Sequence, residues 1–582
     1  MLSVQLNLFL KEIERKAWLL IMTGTIAWSL TMVKSGLVYS YGIGFWGPNG
    51  HDGVWHIALA NSLAKGSWSL PMFASEAIKN YHFGFDLLLA ILHKITFIPI
   101  MILYFQILPP IFALLTGVFV YKFVYLWQKD KAKAYWALFF TYFSGSFGWI
   151  ITFIKSGRFE GESLFWSQQA LSTLVNPPYA LSLIFVFAGL YFLVKGVETS
   201  KKKKTLSTIY YLLSTFLFGF LILIKVYAGI LVLSALFTSG IWMMIQRKGI
   251  AVMKIFTGAL IISILIFPKL ELGATGVVTF KPFWFLETMM SFPDRVGWQK
   301  FGEAMVNYKL GGVWLKGILA YFVAFLIFLA GNFGIRIIGL WKVIDAARDV
   351  RKLGIIEVFI FLIIGAGILL PMLFLQKGTA WNTIQFFYYS LALISILAGI
   401  SFVDVLRKLK FSVFTNRMIE VTLILLTIPV LISTLRHYLP PRPPAMISSE
   451  ELKALNFLSK QPNGVILTQP FDKLRAEAAI DNPPRPLYLY ESTAYVSAFS
   501  GKPIYLEDEV NLEITGYDWR ERREELEKIL GYKDIRVLRG FFRENNISYI
   551  YWIKNNVYGN FWEEKDLNKI FQNSEVIIYS VM

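Results

Sequence analysis

The chain of 582 residues contains no cysteine. Disulfide bonds, thiolate metal sites and cysteine nucleophiles are therefore excluded. Charged residues are also scarce, at 16% of the sequence, whereas soluble globular proteins are about one quarter charged. Histidine is rare as well, with five residues in total. The low charge content indicates a protein that exposes much of its surface to lipid.

Apolar segments fill most of the first three quarters of the sequence. Hydrophobic residues make up 55% of the chain, and many segments approach the roughly 20 residues that a helix needs to cross a bilayer. The predicted spans are residues 17–34, 134–154, 177–195, 207–224, 227–245, 252–269, 314–333, 355–375, 383–405 and 417–436. Residues 84–127 add one crossing and a half-immersed helix kinked at two prolines. The predicted total is about 11 to 13 transmembrane helices.

The excess of positive charge lies in short loops between these spans. A net charge of +18 can indicate nucleic-acid binding. Basic clusters such as Lys201 to Lys204 are instead typical of cytoplasmic loops, so no nucleic-acid partner is expected. The same rule predicts a multi-pass cell-membrane protein in contact with membrane lipid, with a cytoplasmic N-terminus. The predicted outside segments are residues 35–83, 155–176, 270–312 and 376–382.

The sequence changes character after the proline-rich segment 439–445. Residues 447–582 alternate helical patterns with strand-like segments, among them KPIYLED at 502–508, and this alternation predicts a small, partly parallel α/β domain. The acidic run LEDEV, at 506–510, is interpreted as a solvated face of this domain. We therefore predict a mainly α polytopic membrane protein with a small extracytoplasmic α/β C-terminal domain. The predicted domains are 1–440, which includes the long first outside loop 35–83, and 441–582.

Four of the five histidines fall within residues 51–93, directly after the first predicted span. The segment GHDGVWH places Asp52 beside His51 and near His56, and YHFGFD adds His82. Ionisable groups gathered at one membrane boundary indicate a functional site. A carboxylate there can act as a general base toward a hydroxyl group. We therefore predict Asp52 as the catalytic residue and His56 as a secondary catalytic group, with His51 and His82 in substrate binding.

Two other interpretations of this cluster stay open. Aspartate is a favoured N-cap, so Asp52 can instead begin a helix near Val54. The histidines could bind a metal, but His51 and His56 are five residues apart and do not share a helical face. No cofactor is expected, and a divalent metal, although compatible with these residue types, is not supported by their spacing.

Four basic residues stand deep in apolar sequence or on the outer side, against the positive-inside trend. They are Lys225, Lys281, Arg295 and Lys377. An anionic phosphate is a natural partner for such cations, so they are predicted to bind substrate. The alternatives are ion pairs with nearby acids or with lipid headgroups. The outside segment at 165–181 adds a polar patch made of Gln168, Gln169, Ser172, Thr173 and Asn176.

Several phrases of the sequence resemble those of one membrane enzyme family. They are HDGVWHIALANSLAKG, YHFGFDLLLAILHK, STLVNPPYALSL, IQFFYYSLALISILAG and TGYDWRERREEL. With the architecture predicted above, they resemble prokaryotic members of the GT-C superfamily of integral-membrane glycosyltransferases. The resemblance covers the whole chain through its architecture, whereas the shared motifs are short.

The resemblance implies a hexosyl or pentosyl transferase acting at the outer membrane face. Such enzymes transfer a sugar from a polyprenyl-phosphate-linked donor to an extracytoplasmic glycan, lipid or protein acceptor. The acid of the first loop, here Asp52, acts as the base, and cations of later loops hold the donor phosphate. Oligosaccharyltransferases of this superfamily need a metal, whereas many users of lipid monophosphates do not. Here His51 stands where paired acids are often found and no outside Asp-Xaa-Asp occurs, which argues against the metal-dependent branch.

The alternative function is a non-catalytic transporter or an assembly scaffold for lipid-linked polysaccharide. Charges lining a path through the membrane would favour transport. The ionisable residues of this chain instead collect at one predicted face, which favours chemistry at the membrane surface.

Overall fold

The computed structural model describes residues 12–200, 203–267, 278–532, 534–554, 556, 562 and 567–581. Residues 270–277 of the predicted third outside segment and Lys201 and Lys202 of the basic cluster lie outside the described residues. The chain divides into two compact units. The first contains residues 12–31, 109–267 and 278–437, and the second contains residues 32–108 and 438–581. Packing therefore groups the whole of the first predicted outside loop with the C-terminal region. The predicted domains instead divided the chain at residue 440, where its composition changes.

The prediction of a mainly helical, multi-pass membrane protein is confirmed. Among the described residues, eight helices are long and apolar enough to cross a bilayer, or nine if the bent pair Lys131–Phe143 and Gly148–Ser156 is one span. The eight are Ile100–Gln128, Pro177–Thr199, Lys204–Ile224, Val226–Ile245, Trp314–Arg348, Ile355–Leu373, Ala380–Leu409 and Val413–Tyr438. The shorter helices Trp284–Ser291 and Gln299–Leu310 lie in the predicted third outside segment.

This number is lower than the predicted 11 to 13, chiefly because two predicted spans form short helices. Arg15–Ser29 has 15 residues and Ala251–Ile266 has 16, below the roughly 20 that a perpendicular crossing needs. In the region 84–127 a separate helix, Gly84–Thr96, precedes the single span. That span continues through two prolines after a widened π-helical turn at Leu103–Ile107, which accommodates the missing amide donors.

Small residues allow close helix packing in the first unit. The helix Gln385–Leu409 packs along Lys131–Phe143, and the rings of Trp136 and Phe402 meet with centroids 4.5 Å apart. A Cβ atom on Gly399 would lie 2.1 Å from the backbone nitrogen of Ala137. Such contacts between small residues are a main source of helix association in membranes.

A four-stranded sheet explains why the second unit combines distant parts of the chain. Strand Gly42–Phe45 of the first loop pairs antiparallel with Ala445–Ser448, with Gly42 opposite Ser448. Gly42 has a φ of +130°, and a Cβ there would lie 2.1 Å from the carbonyl oxygen of Ile447. Val38–Tyr39 and Arg485–Pro486 complete the sheet at its two edges.

The predicted α/β character of the C-terminal region is confirmed by a second sheet. Its strands, in spatial order, are Val465–Thr468, Ile547–Ile553, Val576–Ser580 and Asn568–Gln572, and only the first pair is parallel. The predicted strand at 502–508 forms only an isolated bridge between Ile504 and Ile466. The helices of this unit are Asp52–Ala64, Gly84–Thr96, Ser449–Ser459, Lys473–Ala478, Tyr495–Ser500, Glu509–Thr515, Arg520–Ile529 and Ile535–Glu544.

Candidate active site

Asp52 is the first residue of the helix Asp52–Ala64, and His51 occupies the N-cap position. The alternative interpretation of Asp52 as the N-cap is therefore wrong. A carboxylate in the first helical turn is stabilised by the partial positive charge of the helix N-terminus. The side chain of Asp52 is 52% exposed, so its carboxylate is accessible to a substrate.

His51 lies buried between two carboxylates. Its Nδ1 atom is 2.9 Å from Asp52 Oδ1, and its Nε2 atom is 3.2 Å from Asp508 Oδ1. Asp508 is fully buried, so the interpretation of LEDEV as a solvated face is wrong at this position. The backbone amide and the side-chain Nδ2 of Asn511 both donate to the Asp508 carboxylate at 3.1 Å. A protonated imidazole can donate to both acids at once.

Three carboxylates surround this imidazole. Glu491 Oε2 lies 3.8 Å from His51 Nδ1, and we call His51, Asp52, Glu491 and Asp508 the His51 cluster. Burial disfavours the protonated imidazole of His51. The negative charges and hydrogen bonds of Asp508 and Asp52 outweigh this effect of burial and raise the pKa of His51 well above 6.5. Burial also raises the pKa of Glu491, against the opposing effect of His51. The cluster therefore holds an imidazolium directly behind the accessible carboxylate of Asp52.

This ion pairing predicts a pH-dependent stability. Because the pKa of His51 is raised in the folded state, its contribution is fully present below pH 6.5 and is lost as the pH rises through the raised pKa. We expect the melting temperature of the purified protein to fall over that interval, and His51→Gln to reduce the fall. His82→Gln serves as the histidine control. Identical pH dependence in the parent and His51→Gln would contradict the assignment.

His56 forms a second buried pair. Its Nδ1 atom is 2.6 Å from Asp86 Oδ1, and both side chains are buried. The rings of Phe85 and Tyr104 flank the imidazole, with centroids 5.4 and 5.6 Å away. Burial raises the pKa of Asp86, while His56 opposes that rise. The predicted catalytic role of His56 stays a prediction. Its contact with Asp86 joins the helix that carries Asp52 to the helix Gly84–Thr96.

His82 approaches the helix that carries Asp52 through Tyr81. Its half-buried ring stacks on Tyr81 with centroids 4.8 Å apart. Tyr81 in turn packs against Trp55, 5.5 Å between centroids. Its predicted part in substrate binding stays a prediction.

Lys225 is a buried cation at the junction of two spans. It separates Lys204–Ile224 from Val226–Ile245 in extended backbone, and it is only 5% exposed. Its Nζ atom lies 5.6 Å from the centre of the Tyr227 ring. An interruption between apolar helices thus holds a positive charge in a place where exposure to lipid would be costly.

Three predicted polar segments meet around Lys225. Its Nζ donates to Asn176 Oδ1 at 3.4 Å, and Asn176 Nδ2 donates to Gln385 Oε1 at 3.4 Å. Gln385 donates to Asn382, whose Nδ2 donates to Gln376 Oε1 at 3.1 Å. We call these five residues the Lys225 network. The sequence had marked Lys225, Asn176 and the 376–382 turn separately, and the structure joins them.

The other three predicted cations differ in their surroundings. Arg295 stacks 4.0 Å over the Trp166 ring, and its Nη1 donates to the Ser163 carbonyl at 3.0 Å. Its Nη2 atom also lies 3.5 Å from Asp294 Oδ2. An ion pair with a nearby acid was the alternative to substrate binding for this residue. Lys281 and Lys377 are exposed, and Lys377 follows a residue of the Lys225 network directly in sequence. Their predicted roles in substrate binding stay predictions.

A buried arginine in the first unit was missed by the sequence analysis. Arg336 is 1% exposed and donates to Gln169 Oε1. Glu162 Oε1 accepts hydrogen bonds from the backbone amide of Gln169 at 2.8 Å and from Ser172 Oγ at 2.5 Å. The available signal was a lone arginine three residues beyond a predicted span. The predicted polar patch is therefore divided between this buried group and the Lys225 network.

Among the described residues, no group of three or more histidine, aspartate or glutamate side chains is arranged to hold a metal ion. This part of the chain does not fit the divalent metal that the resemblance associates with oligosaccharyltransferases. The expectation of no cofactor stays a prediction, and no chemical step is assigned to a metal.

No family model matches the chain, and no curated protein matches it. Solved structures do match. The Archaeoglobus fulgidus oligosaccharyltransferase tethered to an acceptor peptide containing the NVT sequon gives a TM-score of 0.51 at 10% identity, over 92% of this chain and 69% of that chain. With the same coverage, archaeal oligosaccharyltransferase AglB from Archaeoglobus fulgidus in complex with an inhibitory peptide and a dolichol-phosphate gives 0.50 at 10% identity. The apo form of the Archaeoglobus fulgidus enzyme gives 0.50 at 11% identity, again with that coverage.

These similarities identify the fold over most of the chain. Over 92% of its length the protein has the fold of these archaeal oligosaccharyltransferases, and the resemblance noted in the sequence is confirmed at the level of the fold.

Proposed function

We propose that the protein is a membrane glycosyltransferase that transfers a sugar from a polyprenyl-phosphate-linked donor to an extracytoplasmic acceptor. The observation that carries this proposal is the exposed carboxylate of Asp52, held against buried His51 on a GT-C fold. The dolichol-phosphate bound to a structurally similar archaeal enzyme supports a lipid-phosphate donor. The basic loops support a cytoplasmic N-terminus and an extracytoplasmic C-terminal region.

In the proposed reaction Asp52 is the general base. It takes the proton of the acceptor hydroxyl while that oxygen attacks the anomeric carbon, and the bond from the sugar to the donor phosphate breaks. The imidazolium of His51 keeps Asp52 ionised before the reaction, because an adjacent positive charge favours the carboxylate form. Asp508 and Glu491 in turn favour the protonated state of His51. His51 is thus proposed as a positioning residue rather than as the substrate-binding group of the sequence prediction.

The Lys225 network is the proposed donor-phosphate site. It combines a buried cation with amide groups from three segments, and amide N–H groups together with an ammonium suit phosphate oxygens. Its position at an interruption between two spans suits a donor whose lipid remains in the bilayer. Lys377 lies next in sequence to the network and is proposed as a second cation.

We expect Lys225→Gln to raise the KM for the lipid donor by about ten- to a hundredfold, because a charge-assisted contact contributes about 1.5–3 kcal/mol. The KM for the acceptor should stay close to that of the parent. Lys225→Arg keeps the charge and should restore part of the affinity. Lys316→Gln removes an exposed lysine of the same unit and is the matched control. An unchanged donor KM in Lys225→Gln would show that the phosphate binds elsewhere.

The proposed function is tested with purified protein in liposomes that contain polyprenyl-phosphate-linked sugars. Labelled hexose and pentose donors are supplied in turn, and the product is separated from the lipid. Transfer to an added glycan, lipid or peptide supports the proposal and identifies the acceptor class. Movement of the intact donor across the bilayer, with no transfer, would overturn it in favour of transport.

A further inference from the structure

A cavity in the C-terminal region adjoins the His51 cluster. It opens to solvent, and its space is about 640 Å³ when the open solvent at its mouth is included. Two members of the cluster, Glu491 and Asp508, form part of its wall. The cavity therefore lies next to the imidazole that contacts Asp52, and a molecule bound there would be held near the proposed base.

Two wall residues have hydrogen-bonding groups without partners among the described residues. Thr493 is only 5% exposed, and its hydroxyl has no hydrogen-bond partner in that part of the chain. The guanidinium of Arg475 makes no hydrogen bond or ion pair there either; its backbone amide donates to Asp472 Oδ1 at 3.1 Å, and its backbone carbonyl accepts from the Ala479 amide at 3.0 Å. Buried polar groups are nearly always satisfied in native proteins, so the Thr493 hydroxyl points to a ligand, and the half-buried guanidinium of Arg475 is available to bind it.

The cavity wall contains several acids, but three of them are already engaged. The carboxylate of Glu507 accepts from two backbone amides at a helix N-terminus, at 2.9 and 3.1 Å. Asp508 contacts His51, and Glu509 forms an ion pair with Arg523 at 2.6 Å. These acids stabilise the wall itself, so they add little to the recognition of a positively charged ligand.

The remaining charges nearly balance. Asp472 and Glu491 face the cavity together with Arg475, and the imidazole of His51 lies 3.8 Å from Glu491 as a second positive group. Tyr488 and Phe471 add aromatic rings to the wall. A wall of carboxylate, hydroxyl and guanidinium groups beside aromatic rings offers donors and acceptors to many hydroxyl groups. This chemistry favours a neutral, polyhydroxylated ligand over a basic peptide.

We propose that this cavity binds a neutral saccharide, the acceptor of the transferred sugar. The inference rests on the proposed function and specifies its acceptor class. The acceptor would hydrogen-bond to Thr493 and Arg475 while one of its hydroxyl groups reaches Asp52. Glu491 would contact the sugar between these two anchors.

Saccharide binding is measured without any lipid donor, on the full chain in lipid nanodiscs, by saturation-transfer NMR. The probes are neutral di- and trisaccharides of glucose, galactose and mannose, with a lysine-rich peptide as competitor. We expect at least one saccharide to bind the parent, and Thr493→Val and Arg475→Gln each to weaken it about tenfold or more. Thr493→Ser keeps the hydroxyl and should bind like the parent, as should Arg536→Gln, an exposed arginine outside the cavity.

Three results would overturn the inference. The first is that no saccharide binds to the parent. The second is that saccharide binding is unchanged in both Thr493→Val and Arg475→Gln. The third is that the lysine-rich peptide displaces the bound saccharide. The test is separable from the proposed function. Sugar transfer to a peptide without saccharide binding would refute only the acceptor class. Saccharide binding in a protein that transfers no sugar from any lipid donor would refute only the glycosyltransferase.

Discussion

Asp52→Asn is expected to lower the rate of sugar transfer by about 10²–10⁴-fold, the usual contribution of a general base. The substitution keeps the size of the side chain and its place in the first helical turn, but it removes the negative charge that accepts the proton. Donor affinity should stay close to that of the parent, because the proposed phosphate contacts belong to the Lys225 network. The measurement is single-turnover transfer with saturating donor and acceptor, which separates the chemical step from binding.

The matched control for this variant is Asp534→Asn. Asp534 belongs to the same unit and is exposed, and its pairing with Arg536 lies away from the His51 cluster. Its variant should transfer sugar at the parent rate. Transfer by Asp52→Asn at the parent rate would refute the assignment of the base. Glu76 would then be the next candidate among the acids between residues 35 and 86, since Asp86 is fully buried against His56.

The membrane helices were largely predictable because lipid contact imposes a local rule on sequence. A span must be apolar along about 20 residues whatever it packs against, so segments such as Ile355–Leu373 are visible without knowledge of their neighbours. The exact number was not predictable from composition. The helix Arg15–Ser29 ends at residue 29, whereas the apolar segment continues to residue 34. Hydropathy does not show where the helical backbone stops.

The pairing of distant strands was beyond sequence reasoning. Gly42–Phe45 and Ala445–Ser448 are separated by most of the chain, and neither short strand specifies its partner by pattern. The segment at 502–508 failed as a strand for a similar reason. Its backbone forms hydrogen bonds on one side with Ile466, which lies in a strand, and on the other side with Pro71 and Met72, which lie in an irregular loop. A strand therefore flanks this segment on one side only.

The candidate site was predictable only in part. Asp52 and His51 were visible because they stand in a dense group of ionisable residues at a predicted membrane boundary. Asp508 was not, because an acidic run usually faces solvent, whereas here a left-handed backbone with a φ of +55° turns its carboxylate inward to His51. The cavity residues Thr493 and Arg475 carry no motif, and only the folded chain brings them to the His51 cluster.

The second large effect concerns the buried pair of His56 and Asp86. His56→Leu removes the imidazole whose Nδ1 lies 2.6 Å from Asp86 Oδ1, and the Oδ2 atom already has no hydrogen-bond partner among the described residues. An uncompensated buried charge results, so the free energy of unfolding should fall by about 3–5 kcal/mol. Asp86→Leu should destabilise by a similar amount, because it leaves His56 without its carboxylate.

The double variant His56→Leu with Asp86→Leu decides whether this pair serves folding or catalysis. Replacing both partners by apolar groups removes the unpaired charge, so its loss of stability should be clearly smaller than the sum of the two single losses. Denaturant unfolding of all four proteins measures this coupling, and transfer rates are recorded on the fraction that remains folded. If His56 only supports the helix that carries Asp52, the folded double variant should keep most of its transfer rate. Parent-like stability in His56→Leu together with a large loss of transfer would instead establish His56 as a catalytic residue, as the sequence first indicated.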